Sequence, residues 1–165
     1  MRGFQLEPRR IPSLRLAGLG VEDGSPPFGA NGIAFDRNER FLYVANTSVD
    51  RVYRIAFDHG TLGAIALFAS GVTGGALDGA DGIAFDDRGN LYVCSNQSNE
   101  ITVLSPDGTV IAEYRGVGDN AFDGPASLVF RGRDLYVTDL SLFDGGQHQK
   151  LSVFTAPFAG APLRP

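Results

Sequence analysis

The feature that most constrains this chain is a tripeptide, Leu-Tyr-Val, that occurs three times at similar points of a repeated pattern. It stands at residues 42–44, 91–93 and 135–137, which gives spacings of 49 and then 44 residues. Each copy follows a short apolar run and a polar turn, and further β-rich runs come after it. Self-similarity at a fixed period of this size indicates a repeat architecture, in which each repeat is one supersecondary unit.

The middle repeat spans 81–114 and reads DGIAFDDRGNLYVCSNQSNEITVLSPDGTVIAEY. Its four apolar runs are separated by polar turns, and the turn at 105–108 has Pro second and Gly fourth, as a type I turn prefers. Four short β-rich runs joined by tight turns predict a four-stranded antiparallel meander. A chain of such meanders is typical of the blades of a β-propeller.

We therefore predict an all-β fold, a β-propeller arc of about three four-stranded antiparallel blades, which is half of a six-bladed propeller. One partial propeller domain is expected to fill residues 1–165. Residues 1–20 are predicted to be outer strands of a preceding blade, and the third repeat has an insertion at 141–149 and no convincing fourth strand. The predicted blades are, in order, 31–69, 81–115 and 125–155.

The inner runs of the repeats are apolar on both faces, which is typical of strands buried between neighbouring blades. A three-blade arc leaves one such face open at each end, and propellers avoid open faces by closing into a ring. We expect either that two copies pair as a homodimer into a six-bladed ring, or that the chain is half of a longer protein. The predicted outer strands in residues 1–20 favour the second arrangement.

Composition excludes several partners. The net charge of −5 and the pI of about 4.9 are the opposite of the basic face that nucleic-acid binding needs. No apolar stretch reaches the roughly 20 residues that span a membrane, and no signal peptide is recognised, so the cytoplasm is the default expectation. The single cysteine, Cys94, is predicted to be a small core residue.

The candidate functional residues stand where the inner strands begin. Asn31 and Asp81 occupy equivalent places, in A-N-G-I-A-F-D and A-D-G-I-A-F-D, and the segment 123–125 is expected to be their counterpart in the third repeat. Loops entering the inner strands surround the mouth of a propeller channel, so two oxygen ligands there could hold a divalent cation. Alternatively, Asn and Asp before Gly are simply turn formers, and the spacing leaves both interpretations open.

These motifs resemble the senescence marker protein (regucalcin)/gluconolactonase family of six-bladed propellers. That family opens one blade with P-N-G and the next with P-D-G about fifty residues later. Here the openings are Ala30-Asn31-Gly32-Ile33 and Ala80-Asp81-Gly82-Ile83, with alanine in place of each proline. The stretch 125–138 is similar to the blade that follows in the family, and the resemblance covers about 25–155.

The resemblance implies a metal-dependent, lactonase-like hydrolase whose ligand is a small-molecule lactone or sugar acid. Family members bind one divalent cation through a Glu, two Asn and an Asp, and Asn31 and Asp81 match the third and fourth of these. Asp81 would also be the catalytic base. The cation expected first is Ca²⁺, with Zn²⁺, Mn²⁺ or Mg²⁺ as alternatives. The Glu and the first Asn belong to earlier blades that this chain lacks, so the site is incomplete in a lone chain.

A second interpretation is a propeller that catalyses nothing. The middle repeat also resembles the NHL-type repeat, P-x-G-I-A-x-D-x-x-G-N-L-Y-V-A-D, whose propellers include many binding or scaffold modules. Fold analogy cannot decide between the two. His59, His148 and Ser127 have no partners at ligand or catalytic spacing, and we predict that they take no part in chemistry.

Overall fold

The computed structural model describes residues 29–141, 145 and 149–162. The predicted outer strands in residues 1–20, and the part of the insertion that contains His148, lie outside this range. Within it the chain forms eleven strands and two single 3₁₀ turns and contains no α-helix. The strands are β1 (Ala30–Phe35), β2 (Phe41–Asn46), β3 (Arg51–Asp58), β4 (Thr61–Ser70), β5 (Ala80–Phe85), β6 (Leu91–Ser95), β7 (Glu100–Leu104), β8 (Val110–Tyr114), β9 (Pro125–Arg131), β10 (Asp134–Asp139) and β11 (Lys150–Thr155).

The strands form three antiparallel sheets in chain order: β1 to β4, β5 to β8, and β9 to β11. This confirms the predicted all-β arc of blades, with four, four and three strands in the described residues. The turns form as their sequences dictate. Asp86 caps the first turn of the second blade, because its Oδ1 accepts hydrogen bonds from the backbone N–H groups of Arg88 and Asn90, both at 2.9 Å.

The core lies in the two joints between successive blades. The first joint packs Tyr43 and Val52 of one blade against Leu91 of the next, and the second packs Tyr92 against Leu128. Strands β6 and β7 of the middle blade are buried along their whole length. This burial confirms that the inner runs are apolar on both faces because they lie between blades. Cys94, in β6, is fully buried, as predicted for a core residue.

The segment after β11 returns across the second joint. The backbone N–H of Asp87 donates to the Ala159 carbonyl at 2.7 Å, and the N–H of Ala161 donates to the Phe85 carbonyl at 2.9 Å. The N–H of Gly160 donates to the carbonyl of Gly132 at 2.8 Å. The segment therefore ties the second blade to the third. No helix of the described residues is long and apolar enough to cross a membrane.

Candidate functional site

Asn31 and Asp81 lie inside strands, each at the second residue of the innermost strand of its blade. In β1 the register is irregular between Ala30 and Ile33, and β5 repeats the irregularity at the same point. Such a bulge re-aims the side chains that it contains. The interpretation of these residues as turn formers is therefore wrong, and their equivalence in sequence is an equivalence in structure.

The glycine after each of them allows neighbouring inner strands to touch. A Cβ on Gly32 would lie 2.0 Å from the backbone oxygen of Asp81, and a Cβ on Gly82 would lie 2.5 Å from the backbone oxygen of Ala126. Only glycine permits so close an approach of two backbones. The Asn-Gly and Asp-Gly pairs thus mark the places where neighbouring inner strands touch.

A buried hydroxyl connects the two candidate ligands. Thr47, at the end of β2, accepts a hydrogen bond from Nδ2 of Asn31 at 3.3 Å and donates to the carbonyl of Ala80 at 2.8 Å. Asn31 is thereby held next to the residue that precedes Asp81, and its amide nitrogen is turned toward Thr47. The Asn31 side chain belongs to an exposed residue, whereas Asp81 is buried.

Asp81 is a buried carboxylate, and two opposing effects set its pKa. Burial raises its pKa to about 6, and a hydrogen bond to Oδ2 from Nδ2 of Asn96, at 3.2 Å, opposes that rise. Beneath it, burial raises the pKa of the Cys94 thiol well above its ordinary value, and the charges of Asp81 and Asp139 add to the effect. Cys94 is therefore an inert core residue, and Asp81 is the group suited to accept a proton or a cation.

A buried polar chain fixes the loop that leads to Asp81. The backbone N–H of Leu77 donates to the hydroxyls of Ser95 and Thr102, at 3.1 and 3.2 Å. Thr102 donates to Oε1 of Glu100 at 3.2 Å, and Arg115 places both Nε and Nη2 at 2.9 Å from Oε2 of Glu100. The loop is thus tied to the second and third strands of its own blade.

The third blade places a different residue at the equivalent position. Pro125 pairs with Asp139 as Ala80 pairs with Ser95, so Ala126 stands where Asn31 and Asp81 stand in their blades. Our expectation that the segment 123–125 occupies this place is wrong, because the strand register aligns Ala126 with Asn31 and Asp81. Asp123 lies outside the strand, and its backbone N–H donates to Oδ1 of Asp139 at 3.3 Å.

The donor set fits a hard divalent cation in kind but not in number. Asn31 and Asp81 offer oxygen atoms, which Ca²⁺ and Mg²⁺ prefer, but Ca²⁺ takes about six to eight oxygens. Among the residues that the structure describes, no group of three or more His, Cys, Asp or Glu could hold a metal ion. His59 lies in an exposed turn beside Asp58, and Ser127 is an exposed residue of β9.

Sequence reasoning missed the residues that hold the candidate ligands. Thr47 and Asn96 both stand just after the second strand of a blade, directly after Asn46 and Ser95. Aligning the repeats at the ends of their second strands, as well as at the starts of their first, would have found this pair. Their roles also require contacts between strands that are distant in the sequence.

The arc of antiparallel blades, packed against one another through their inner strands, defines the class: part of a β-propeller. Residues 25–141 match the family described as the SMP-30/Gluconolactonase/LRE-like region, and the chain belongs to this family. The chain has no match among the curated proteins.

Several solved structures share the fold. A luciferin-regenerating enzyme is 18% identical with a TM-score of 0.62, covering 84% of this chain and 50% of its own. Regucalcin from Agrobacterium tumefaciens, a calcium-binding protein, is 22% identical with a TM-score of 0.61, covering 80% of this chain and 46% of its own. A gluconolactonase from Xanthomonas campestris is 24% identical with a TM-score of 0.60, and the match covers 79% of this chain and 38% of the gluconolactonase. The chain therefore spans half or less of the length of these proteins.

Proposed function

We propose that this chain forms part of a metal-dependent lactone hydrolase of the gluconolactonase type. One observation carries the proposal: Asp81 presents a buried carboxylate beside Asn31 at the openings of adjacent inner strands, within the part of the chain that matches the family. Neither residue is needed there for a turn. A buried carboxylate whose pKa is raised by its surroundings is a candidate for chemistry.

Asn31 and Asp81 are the residues that would hold the cation. The amide nitrogen of Asn31 faces Thr47, which leaves the amide oxygen for a ligand on the other side, and Oδ1 of Asp81 is the carboxylate oxygen not bonded to Asn96. A bound divalent cation would supply Lewis acidity toward a lactone carbonyl. Calcium is our first candidate, since both donors are oxygens and the similar regucalcin is a calcium-binding protein. Zn²⁺, Mn²⁺ and Mg²⁺ are the alternatives.

The chemical part of Asp81 is proton transfer. In its ionised form Asp81 accepts a proton from the water that attacks the lactone carbonyl, and it returns that proton to the ring oxygen as the carbon–oxygen bond breaks. Asn96 fixes the direction of the carboxylate, and Thr47 fixes Asn31 beside it. The substrate class is a small lactone, and the product is the corresponding hydroxy acid.

The test compares Asp81→Ala with Asp58→Ala, a control that removes a carboxylate from an exposed turn. The readouts are lactone hydrolysis at constant pH and the shift in melting temperature on adding CaCl₂ or MnCl₂. Asp81→Ala is expected to lose both, and Asp58→Ala is expected to keep both. If Asp81→Ala hydrolyses the lactone as fast as the unmodified chain does, Asp81 is neither the cation ligand nor the catalytic base.

The second candidate function is a non-catalytic binding or scaffold propeller of the NHL type. The observation that favours it is Ala126, which places no oxygen ligand in the third blade where the first two blades carry Asn31 and Asp81. This function predicts no cation-dependent change in melting temperature and no lactone hydrolysis, in the unmodified chain as well as in Asp81→Ala.

A further inference from the structure

One aromatic contact is repeated at both joints of the arc. Tyr43 of the first blade meets Phe85 of the second edge-on, with ring centroids 4.9 Å apart. Tyr92 of the second blade meets Phe130 of the third in the same way, at 5.1 Å and 88°. Edge-to-face pairs at these distances are favourable beyond the area that they bury. Each joint therefore uses a tyrosine from one blade and a phenylalanine from the next.

The strand registers show that these residues are equivalent in all three blades. Tyr43, Tyr92 and Tyr136 pair with Ala34, Ala84 and Val129 of the innermost strands. Phe35, Phe85 and Phe130 pair with Leu42, Leu91 and Leu135 of the second strands. The arc thus carries one tyrosine and one phenylalanine more than its two joints use: Tyr136 on the last blade and Phe35 on the first.

These two residues sit at opposite ends of the arc. Phe35 is 44% exposed and contacts Phe57 of its own blade, with ring centroids 4.8 Å apart and the ring planes tilted by 58°. Tyr136 is half-buried on the outward face of the third blade. Neither meets the complementary ring of another blade within the described residues.

The outward face of the third blade also exposes what the second blade buries. Val153 pairs with Tyr136 as Val103 pairs with Tyr92, and Val153 is 52% exposed whereas Val103 is 2% exposed. Leu151 is likewise 64% exposed, whereas Ile101, its counterpart in the second blade, is 1% exposed. A contiguous apolar surface of this kind marks a protein contact site.

We infer that a second copy of this chain covers this face with its first blade, and that two such contacts close a six-bladed ring. The chain carries both halves of the joint, so the last blade of one copy and the first blade of the other are complementary. Three blades make half a ring, and the similar solved structures are about twice as long as the matched part of this chain. A two-fold axis then forms both joints at once, which leaves no open face.

Ring closure would also complete the candidate site, a consequence that rests on the proposed function. Asn31 lies exposed in the first blade at the open end of the arc, so the partner's third blade would come next to it. The channel mouth would then carry two Asn31 and two Asp81 side chains. Four oxygen-bearing side chains approach the number that a divalent cation needs, which two do not.

The first test is the solution mass by light scattering. We expect about twice 17.5 kDa for the unmodified chain and about 17.5 kDa for Val153→Asp, because the charge would lie in the joint. The matched control is Ile111→Asp, at a residue 54% exposed on the outermost strand of the middle blade, which is expected to stay dimeric. A monomeric unmodified chain, or a Val153→Asp dimer as stable as the control, overturns the inference.

The second test determines which blades of the two copies are in contact, and it does not require a substitution that weakens the dimer. Differently tagged Tyr136→Cys and Phe35→Cys chains are co-expressed and treated with a short bis-maleimide, with Cys94 too buried to react. Covalent dimers are expected only between the two different chains. If either variant alone is cross-linked as efficiently as the co-expressed pair, head-to-tail closure is overturned. A dimer that binds no cation would contradict the proposed function and leave ring closure standing. Lactone hydrolysis by a monomer would contradict ring closure and leave the proposed function standing.

Discussion

Asn96 donates a hydrogen bond to Asp81 where the second blade opens, with Nδ2 lying 3.2 Å from Oδ2. This bond favours the ionised carboxylate, whereas burial opposes it. Burial is the larger effect, because the pKa of Asp81 is raised to about 6. At neutral pH Asp81 is thus an ionised group held in an unfavourable place, which is a property expected of a ligand or a base and not of a packing residue.

We expect Asp81→Asn to stabilise the metal-free protein at pH 7.5 but not at pH 4. The folded-state pKa of about 6 lies above the ordinary value of 3.8, so the folded protein loses stability as the pH rises through this window. The substitution removes a penalty of about 2 to 3 kcal/mol at pH 7.5. Melting temperatures at the two pH values measure it, with Asp58→Asn as an exposed control. An equal effect at both pH values would contradict the prediction.

Thr47→Val is expected to destabilise the protein by about 1 to 3 kcal/mol, because it leaves the buried carbonyl of Ala80 without its hydrogen bond. Thr47→Ser keeps the hydroxyl and serves as the control. Urea unfolding gives the stability, and the melting shift with added cation reports the position of Asn31, which Thr47 also holds. A loss in Thr47→Ser as large as in Thr47→Val would show that the methyl group and not the hydroxyl matters.

Arg115→Met is expected to cost about 1 to 3 kcal/mol, since it removes the charge partner of the fully buried Glu100. Arg115 itself is half exposed, so the loss is smaller than for a fully buried pair. Adding Glu100→Gln to Arg115→Met should recover part of the loss, because the amide still accepts the hydrogen bond from Thr102. Denaturant midpoints of the four proteins form a double-mutant cycle. Additive effects would mean that the two side chains do not interact.

Gly82→Ala is expected to cost 3 kcal/mol or more, on the order of the largest single-residue effects. The new Cβ would meet backbone atoms of Ala126 and Ser127 at 2.5 and 2.8 Å. Gly63→Ala is the control, since its nearest new neighbour is the Cβ of Ala56 at 3.3 Å. Thermal unfolding distinguishes them. Similar melting temperatures for the two variants would mean that the inner strands can move apart.

The blades could be predicted because their determinants are local. Short runs that are apolar on both faces, such as Leu91–Ser95, need a sheet buried on both sides, and Asp86 forms its turn with residues at most four positions away. Equivalence of the repeats likewise placed Asn31 and Asp81 at corresponding points. Local sequence could not show whether they lie in turns or strands, since a bulge depends on how the pairing strand continues.

The rest of the site depends on contacts between blades. Thr47 reaches the carbonyl of Ala80 across a joint, a contact between residues 33 positions apart. Glu100 is fully buried because Arg115, 15 positions away, and Thr102 complete its hydrogen bonds. Sequence alone does not distinguish Asp123 from Ala126 as the counterpart of Asn31 and Asp81, because only the strand register shows that Ala126 is equivalent to them.

The glycines of the inner strands have one more consequence. Where main chain rests on main chain, as at Gly32 with Asp81 and at Gly82 with Ala126, the width of the channel mouth is set by peptide groups and not by side chains. Residues at the ligand positions can therefore change identity without changing their separation. The three blades of this chain accordingly carry an amide, a carboxylate and a methyl group at Asn31, Asp81 and Ala126 on a frame of constant dimensions.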